Sequence, residues 1–256
     1  MRIGIILVGD ELLSGKRTDK HLPHVIGMLD RRGLELHWCR IIGDDPVLIA
    51  DTLRQTYAGG DLVLSFGGIG ATPDDRTREA AAEAAGVPLV LHPEAVEILQ
   101  HKFGERLYPQ RIRMAEFPQG AELVPNPYNR VPGFSLGHHY FLPGFPEMAW
   151  PMAEWVLDKR YGHLPREPHR AEYLVRVYGQ PESDMVPLMD QALQRFDGLR
   201  LASLPHIDAQ RPWIEFGFRA PEPLAREACE WFCARLDEAG VEWRSGGRRG
   251  EGRGEV

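Results

Sequence analysis

The stretch Leu62-Val-Leu-Ser-Phe-Gly-Gly-Ile-Gly-Ala-Thr-Pro-Asp-Asp-Arg-Thr77 narrows the folds open to this chain more than any other segment. Leu62 to Phe66 is short and apolar, as a buried strand is. Gly67, Gly68 and Gly70 follow, and an alanine-rich helical pattern then runs from Arg76 to Ala85. A strand, a glycine turn and a helix N-terminus in that order present backbone amides to an anion. Glycines let the chain take positive φ and approach a ligand closely, and the helix dipole draws negative charge to the same end. Asp74 and Asp75 stand at the mouth of that helix. Carboxylates repel an anion, so these two either cap the helix or hold a cation or a polar ligand edge. A phosphate cradle beside paired carboxylates points to phosphate and metal chemistry.

The first 160 residues alternate strand and helix signals, which predicts a mostly parallel sheet with helices on both faces. Ile3 to Val8 is a continuous apolar run. Leu22, Val25, Ile26 and Leu29 repeat at helical spacing, and Gly33 ends that helix. Leu34 to Ile42 reads as a strand. Asp45-Pro46 opens a helix through Leu53 with a cap and a first-turn proline. Val87 to Leu91 reads as another strand, Pro93 to Phe103 as a helix, and Tyr108 to Pro132 as irregular. Phe134 to Leu142 reads as a strand, with His138 and His139 as hairpin residues rather than a metal site, and Glu147 to Lys159 as a helix. Gly9-Asp10-Glu11, Gly67 to Asp75 and Pro143 to Glu147 each directly follow an expected strand. Ligands in such sheets sit beyond the strands' carboxyl ends, so the three segments are expected at one rim.

A polar, proline-bearing linker, Tyr161 to Arg170, precedes a second unit. Its order of strand, helix, two strands, helix and strand predicts a small α+β domain, ferredoxin-like or KH-like, over residues 171–244. Trp213 to Arg219 alternates apolar and polar residues as a half-buried strand does. Residues 245–256, rich in Gly, Arg and Glu, read as a disordered tail.

Composition excludes several classes. The net charge is −7 over 256 residues, which argues against a partner held by phosphate attraction alone. A KH fold grips RNA through a Gly-x-x-Gly loop between helices. The match here, Gly247-Arg-Arg-Gly250, lies in the tail, and no basic run is interleaved with aromatics, so nucleic acid is not an expected partner. No apolar run reaches the roughly 18 residues of a membrane span. The start of the chain reads as a first strand leading into Gly9, not as a signal peptide. Cys39, Cys229 and Cys233 show no metal-site spacing and fit a reducing cytoplasm.

Three blocks together resemble the molybdopterin-binding fold of MoaB and Mog type, and within it the competence/damage-inducible protein A (CinA) family. They are Val8-Gly-Asp-Glu-Leu-Leu-Ser-Gly15, Gly67-Gly-Ile-Gly-Ala-Thr-Pro-Asp-Asp-Arg-Thr77 and Phe141-Leu-Pro-Gly-Phe-Pro-Glu-Met148. The second matches a family pattern Gly-Gly-Leu-Gly-Pro-Thr-x-Asp-Asp-x-Thr. Smaller matches are Ile42-Gly-Asp-Asp45, Ala115 with Pro118, and Pro132-Gly-Phe134, all in family order over residues 1–155. The second unit is similar to the family's middle domain. The family's carboxy-terminal deamidase domain has no counterpart in this sequence, so nicotinamide-nucleotide deamidation is not expected. The chain departs from the pattern at Phe66 and Ala71, at Asp19-Lys20-His21, at Asn129-Arg130-Val131 and at Arg111-Ile-Arg-Met114.

The resemblance implies a pocket for a pterin or a phosphorylated nucleotide, and a homo-oligomer of the kind Mog-like domains form. Its ligand-contacting residues are expected to be Gly9, Asp10, Glu11, Gly67, Gly68, Gly70, Thr72, Asp74, Asp75, Thr77, Pro143, Gly144 and Glu147. One implied activity is hydrolysis of an ADP-ribose-type pyrophosphate with Mg, Mn or Co. Asp75 and Asp10 then act as the catalytic, cation-holding pair, and Arg111 and Arg113 grip phosphate. The alternative is a non-catalytic molybdopterin or nucleotide binder linked to molybdenum cofactor synthesis, and a third reading is adenylylation of molybdopterin.

Overall fold

Every residue of β1 (Ile3–Val8) and β3 (Leu62–Phe66) is buried, so both strands lie inside a sheet covered on its two faces. Ile3, Ile5, Leu7, Leu62, Leu64 and Phe66 face one apolar layer; Ile6, Val8 and Val63 face the other. The computed structural model describes residues 1–164, 170–207 and 211–248. It divides into two units, Met1–Pro165 and Arg166–Val256.

In the first unit the order continues with α1 (Asp10–Leu13), α2 (His21–Asp30), β2 (Trp38–Ile42), α3 (Pro46–Gly59), β3, α4 (Thr77–Ala85), β4 (Leu89–Leu91) and α5 (Pro93–Phe103). Then come β5 (Glu116–Pro118), β6 (Glu122–Val124), β7 (Gly133–Leu136), β8 (His139–Leu142) and α6 (Pro146–Arg160). Six strands form one sheet in the order β2-β1-β3-β8-β7-β6. β2, β1, β3 and β8 run parallel, and β7 and β6 are antiparallel additions. Helices α2 and α6 cover one face through residues such as Val25, Met28, Met152 and Val156. Helices α3, α4 and α5 cover the other through Ile49, Leu53, Ala80, Ala81, Ala95 and Leu99. This is the expected three-layer α/β architecture. Local signals explain the helix ends. Asp45 caps α3 by accepting from the amides of Val47 (2.8 Å) and Leu48 (3.3 Å), and Gly60 closes it in the left-handed region.

Four local expectations are corrected. The strand expected over Leu34 to Ile42 begins at Trp38. The amide of Leu34 closes α2 on the Leu29 carbonyl, and Leu34 and Leu36 pack on the core as an approach segment. The strand after Val87 pairs antiparallel with β5 in a separate two-stranded ribbon, outside the main sheet. Its register places Leu89 opposite Pro118, in the stretch expected to be irregular. The single strand over Phe134 to Leu142 is two strands, turned at Gly137 (φ 59°) and His138, with Leu136 paired to His139.

In the second unit β9 (Arg170–Tyr178), α7 (Glu182–Arg195), β10 (Arg200–His206), β11 (Trp213–Pro221), α8 (Glu222–Glu238) and β12 (Trp243–Arg248) form an antiparallel sheet, order β10-β11-β9-β12. β11 sits between β9 and β10, the split β-α-β arrangement of a ferredoxin-like fold. Met185 and Ala192 of α7 and Ala225, Ala228, Phe232 and Leu236 of α8 pack on one face against Val175, Val177, Ile214, Phe216 and Phe218. The fourth correction concerns the expected tail: β12 carries residues 245–248, because they pair with β9. Residues 249–256 lie outside the described ones.

Candidate ligand site at the glycine loop

The loop between β3 and α4 is built so that its carbonyls face inward. The hydroxyl of Thr77, a fully buried side chain, donates to the Gly67 carbonyl (3.1 Å). The Thr77 amide donates to the Gly68 carbonyl (2.9 Å). The Arg78 guanidinium, 1% exposed, donates to the Ile69 carbonyl (2.9 Å). In a trans peptide the N–H points opposite to the C=O of the same unit. The amides of Gly68, Ile69 and Gly70 are therefore turned away from Thr77 and Arg78. Among the described residues nothing accepts from them. Three consecutive outward amides ahead of a helix N-terminus are an arrangement that can accept an anion.

Glycine is needed here for stated reasons. Gly67 (φ 105°) and Gly68 (φ 68°) hold left-handed backbone. A Cβ on Gly68 would collide with the Thr77 hydroxyl, and one on Gly67 with the Val8 carbonyl. Arg78 adds a charge beneath the loop. Its burial pushes the guanidinium pKa down, opposed by the carboxylates of Asp75, Glu79 and Glu116.

The loop forms one wall of a cleft of 620 Å³. Gly9, Glu11, Gly67, Gly68, Gly70, Thr72, Asp74, Asp75, Pro143 and Gly144 all line it, so the three post-strand segments do meet at one rim. Apolar side chains also line it: Phe103, Met114, Val131, Phe145 and Met148. Two cations reach the cleft. Arg17 lies 5.7 Å over the Phe145 ring and 3.8 Å from Glu11. Lys102, in the last turn of α5, donates to the Asn129 carbonyl.

The remaining expected site residues lie elsewhere. Thr77 is behind the loop, as its anchor, not in the cleft. Asp10 is outside the lining, because it is engaged with Asp44. Its amide donates to the Asp44 carboxylate (2.9 Å), and the Asp44 amide donates to the Asp10 carboxylate (3.2 Å). Glu147 borders a neighbouring cleft of 460 Å³ with Lys16, Lys20 and His21. Arg111 and Arg113 are not in the lining: Arg111 donates to the Arg106 carbonyl (2.8 Å) and lies 5.2 Å over the Phe103 ring, and Arg113 pairs with Glu79 (3.4 Å). Arg17 and Lys102 stand in their place.

Sequence reasoning also missed Asp44 and Arg78. Asp44 lines the cleft and sits in the Gly43-Asp44-Asp45 match, which was a usable signal. Burial pushes its carboxyl above the usual range, the Asp10 amide opposes this, and the charges of Asp10, Glu11 and Asp74 raise it further. Arg78 gave no signal, since an arginine in a first helical turn reads as exposed.

Asp75 faces the cleft with its carboxylate folded back on the loop, accepting from the Thr72 amide (2.9 Å) and hydroxyl (2.5 Å). Asp75 lines the cleft and Asp10 does not. Among the described residues no three His, Cys, Asp or Glu side chains converge to hold a metal ion.

The family model for "probable molybdopterin binding domain" matches residues 4–163, nearly the whole of the unit that carries the glycine loop. The chain belongs to this molybdopterin-binding-domain family. Its family relatives include a CinA-like protein of Anaeromyxobacter dehalogenans, 33% identical over 252 residues, covering 94% of this chain and 57% of that protein. A CinA-like protein of Citrifermentans bemidjiense is 34% identical over 211 residues, covering 79% of this chain and 50% of that one. The chain thus spans about half the length of the curated CinA-like relatives it matches. The solved structure of a CinA protein of unknown function from Thermoplasma acidophilum aligns with a TM-score of 0.57 at 28% identity, over 62% of this chain and 98% of that one. No helix of the described residues is long and apolar enough to cross a membrane.

Proposed function

We propose that the first unit binds a phosphorylated small molecule with a flat ring, a pterin or a nucleotide. The observation that carries this reading is the set of three outward amides at Gly68, Ile69 and Gly70. They receive the phosphate, with Arg17 and Lys102 adding charge. The apolar side chains of Phe103, Met114, Val131 and Met148 receive the ring. The family description, molybdopterin binding, supports the same ligand class.

Calorimetry with AMP, ADP-ribose and a phosphorylated pterin tests the reading. Binding of at least one is expected, and its loss in Gly68→Ala. Binding of none, or binding indifferent to Gly68→Ala, overturns it.

Metal-assisted hydrolysis of a nucleotide pyrophosphate is the second reading. It is favoured by the acidic side chains of Glu11, Asp44 and Asp74 along the same cleft. Mg²⁺ habitually takes one or two protein carboxylates and completes its shell with substrate phosphates. Its test is release of AMP from ADP-ribose with Mg²⁺, Mn²⁺ or Co²⁺, abolished in Asp44→Asn. Tight binding without AMP release leaves the non-catalytic reading standing and removes this one.

A further inference from the structure

The sheet of the second unit carries helices on one face, and strand register defines what occupies the other. His206 pairs with Trp213, and Trp213 with Tyr178, so three rings stand in a row across β10, β11 and β9. None belongs to the core beneath α7 and α8. Strands lie about 5 Å apart, which spaces the ring positions at a little more than one base-stacking distance. The rings of His206 and Trp213 are already parallel, 3.8 Å apart. In the next row Glu215 pairs with Arg176, and Arg176 with Arg244.

Guanidinium groups lie over the rings: Arg176 at 4.7 Å from Trp213, and Arg211 and Arg244 at 5.0 and 5.6 Å from Tyr178. The charge of this unit is partitioned. Its four strands carry six arginines against two acids, while α7 and α8 carry eight acids against three arginines. The acids on the strands' open face are Glu172 and Glu215, the latter 3.5 Å from Arg176, and Glu242, just ahead of β12, pairs with Arg211 at 2.6 Å.

A row of rings within a field of arginines fits a polyanion whose anionic groups alternate with flat, stackable ones. We propose that this open sheet face binds a single strand of nucleic acid. Bases stack on the guanidinium planes above Trp213 and Tyr178, since His206 and Arg176 already lie against the Trp213 ring, and phosphates meet Arg176 and Arg244, Arg211 being held by Glu242. An acidic peptide would use the arginines and leave the rings idle. A second copy of the same face would set arginine against arginine. Duplex holds its bases inside and offers the rings nothing to stack on.

The test is fluorescence anisotropy of the full chain with labelled oligouridine and oligothymidine, competed by duplex of equal length. The expected result is salt-sensitive binding of one or both single strands, tighter than duplex. Trp213→Ala and Tyr178→Ala are each expected to weaken it about ten-fold, the size of one lost base stack. Trp213→Phe keeps a ring and keeps most of the affinity, which separates stacking from damage to the fold. Arg244→Ala flattens the salt dependence. The proposal is overturned by absence of single-strand binding, by equal affinity for duplex, or by affinity unchanged in the Ala variants. It is also overturned if sedimentation shows a dimer of the native chain that Trp213→Ala dissociates.

Discussion

Replacing Thr77 by Val tests the loop architecture with little change of shape. The Thr77 hydroxyl is fully buried, and its bond to the Gly67 carbonyl (3.1 Å) crosses from the first turn of α4 to the end of β3. Val fills the same space and leaves that carbonyl with no donor from the side chain. An unsatisfied buried acceptor costs about 1–3 kcal/mol. For a unit of this size each kcal/mol lowers the melting temperature by roughly 2–4 °C, so a fall of roughly 2–12 °C is expected. The Gly67-Gly68 peptide also loses the anchor that aims the Gly68 amide outward, so protection by added pyrophosphate shrinks as well. Thr77→Ser keeps the hydroxyl and recovers most of both losses. The assay is thermal unfolding by circular dichroism with and without pyrophosphate. A Thr77→Val protein that melts with the native one and gains the same protection refutes the inward-carbonyl reasoning.

Gly68→Ala places a Cβ against the Thr77 hydroxyl at a φ of 68°, and anion affinity in calorimetry is expected to fall at least about ten-fold from the strained backbone. Arg17→Ala and Lys102→Ala each weaken binding of AMP several-fold, more at low than at high salt, whereas Arg113→Ala leaves it unchanged because Arg113 pairs with Glu79 outside the cleft. Burial pushes the pKa of His139 down to about 3, against 6.5 for the free side chain. The unfolded chain takes up the extra proton, so the contribution of this group is full above pH 6.5 and falls as pH drops toward 3. The slope is about 1.4 kcal/mol per pH unit, read from urea midpoints, and His139→Phe removes one proton's share of it.

The architecture of the first unit was legible because its signals are local. A continuous apolar run such as Ile3 to Val8 marks a strand buried on both faces, and Asp45-Pro46 marks a helix start wherever it occurs. The hairpin at Gly137 was legible only in part: His138 and His139 were placed on a hairpin, but Gly137 was not read as the turn that splits Phe134 to Leu142 into two strands. The glycine loop was read from three residues. The reason those glycines work lies in Thr77 and Arg78, whose side chains run backward under the loop, and direction is not encoded in spacing. Asp10 and Asp75 were placed together because each follows a strand of the same sheet and lies in a family block; the structure engages Asp10 with Asp44 across the β1 and β2 ends. The ring row of the second unit was invisible for a similar reason. Tyr178, His206 and Trp213 sit on three different strands, and only their register brings them together.

The central claim is that the backbone amides of Gly68, Ile69 and Gly70 receive a phosphate. Amide chemical shifts of the ¹⁵N-labelled chain, followed during titration with pyrophosphate and then AMP, address it most directly. The account predicts saturable downfield movement of those three amides, larger than at any other backbone position, and its disappearance in Gly68→Ala. Saturable binding with the largest shifts at other residues, and these three amides unmoved, would contradict it.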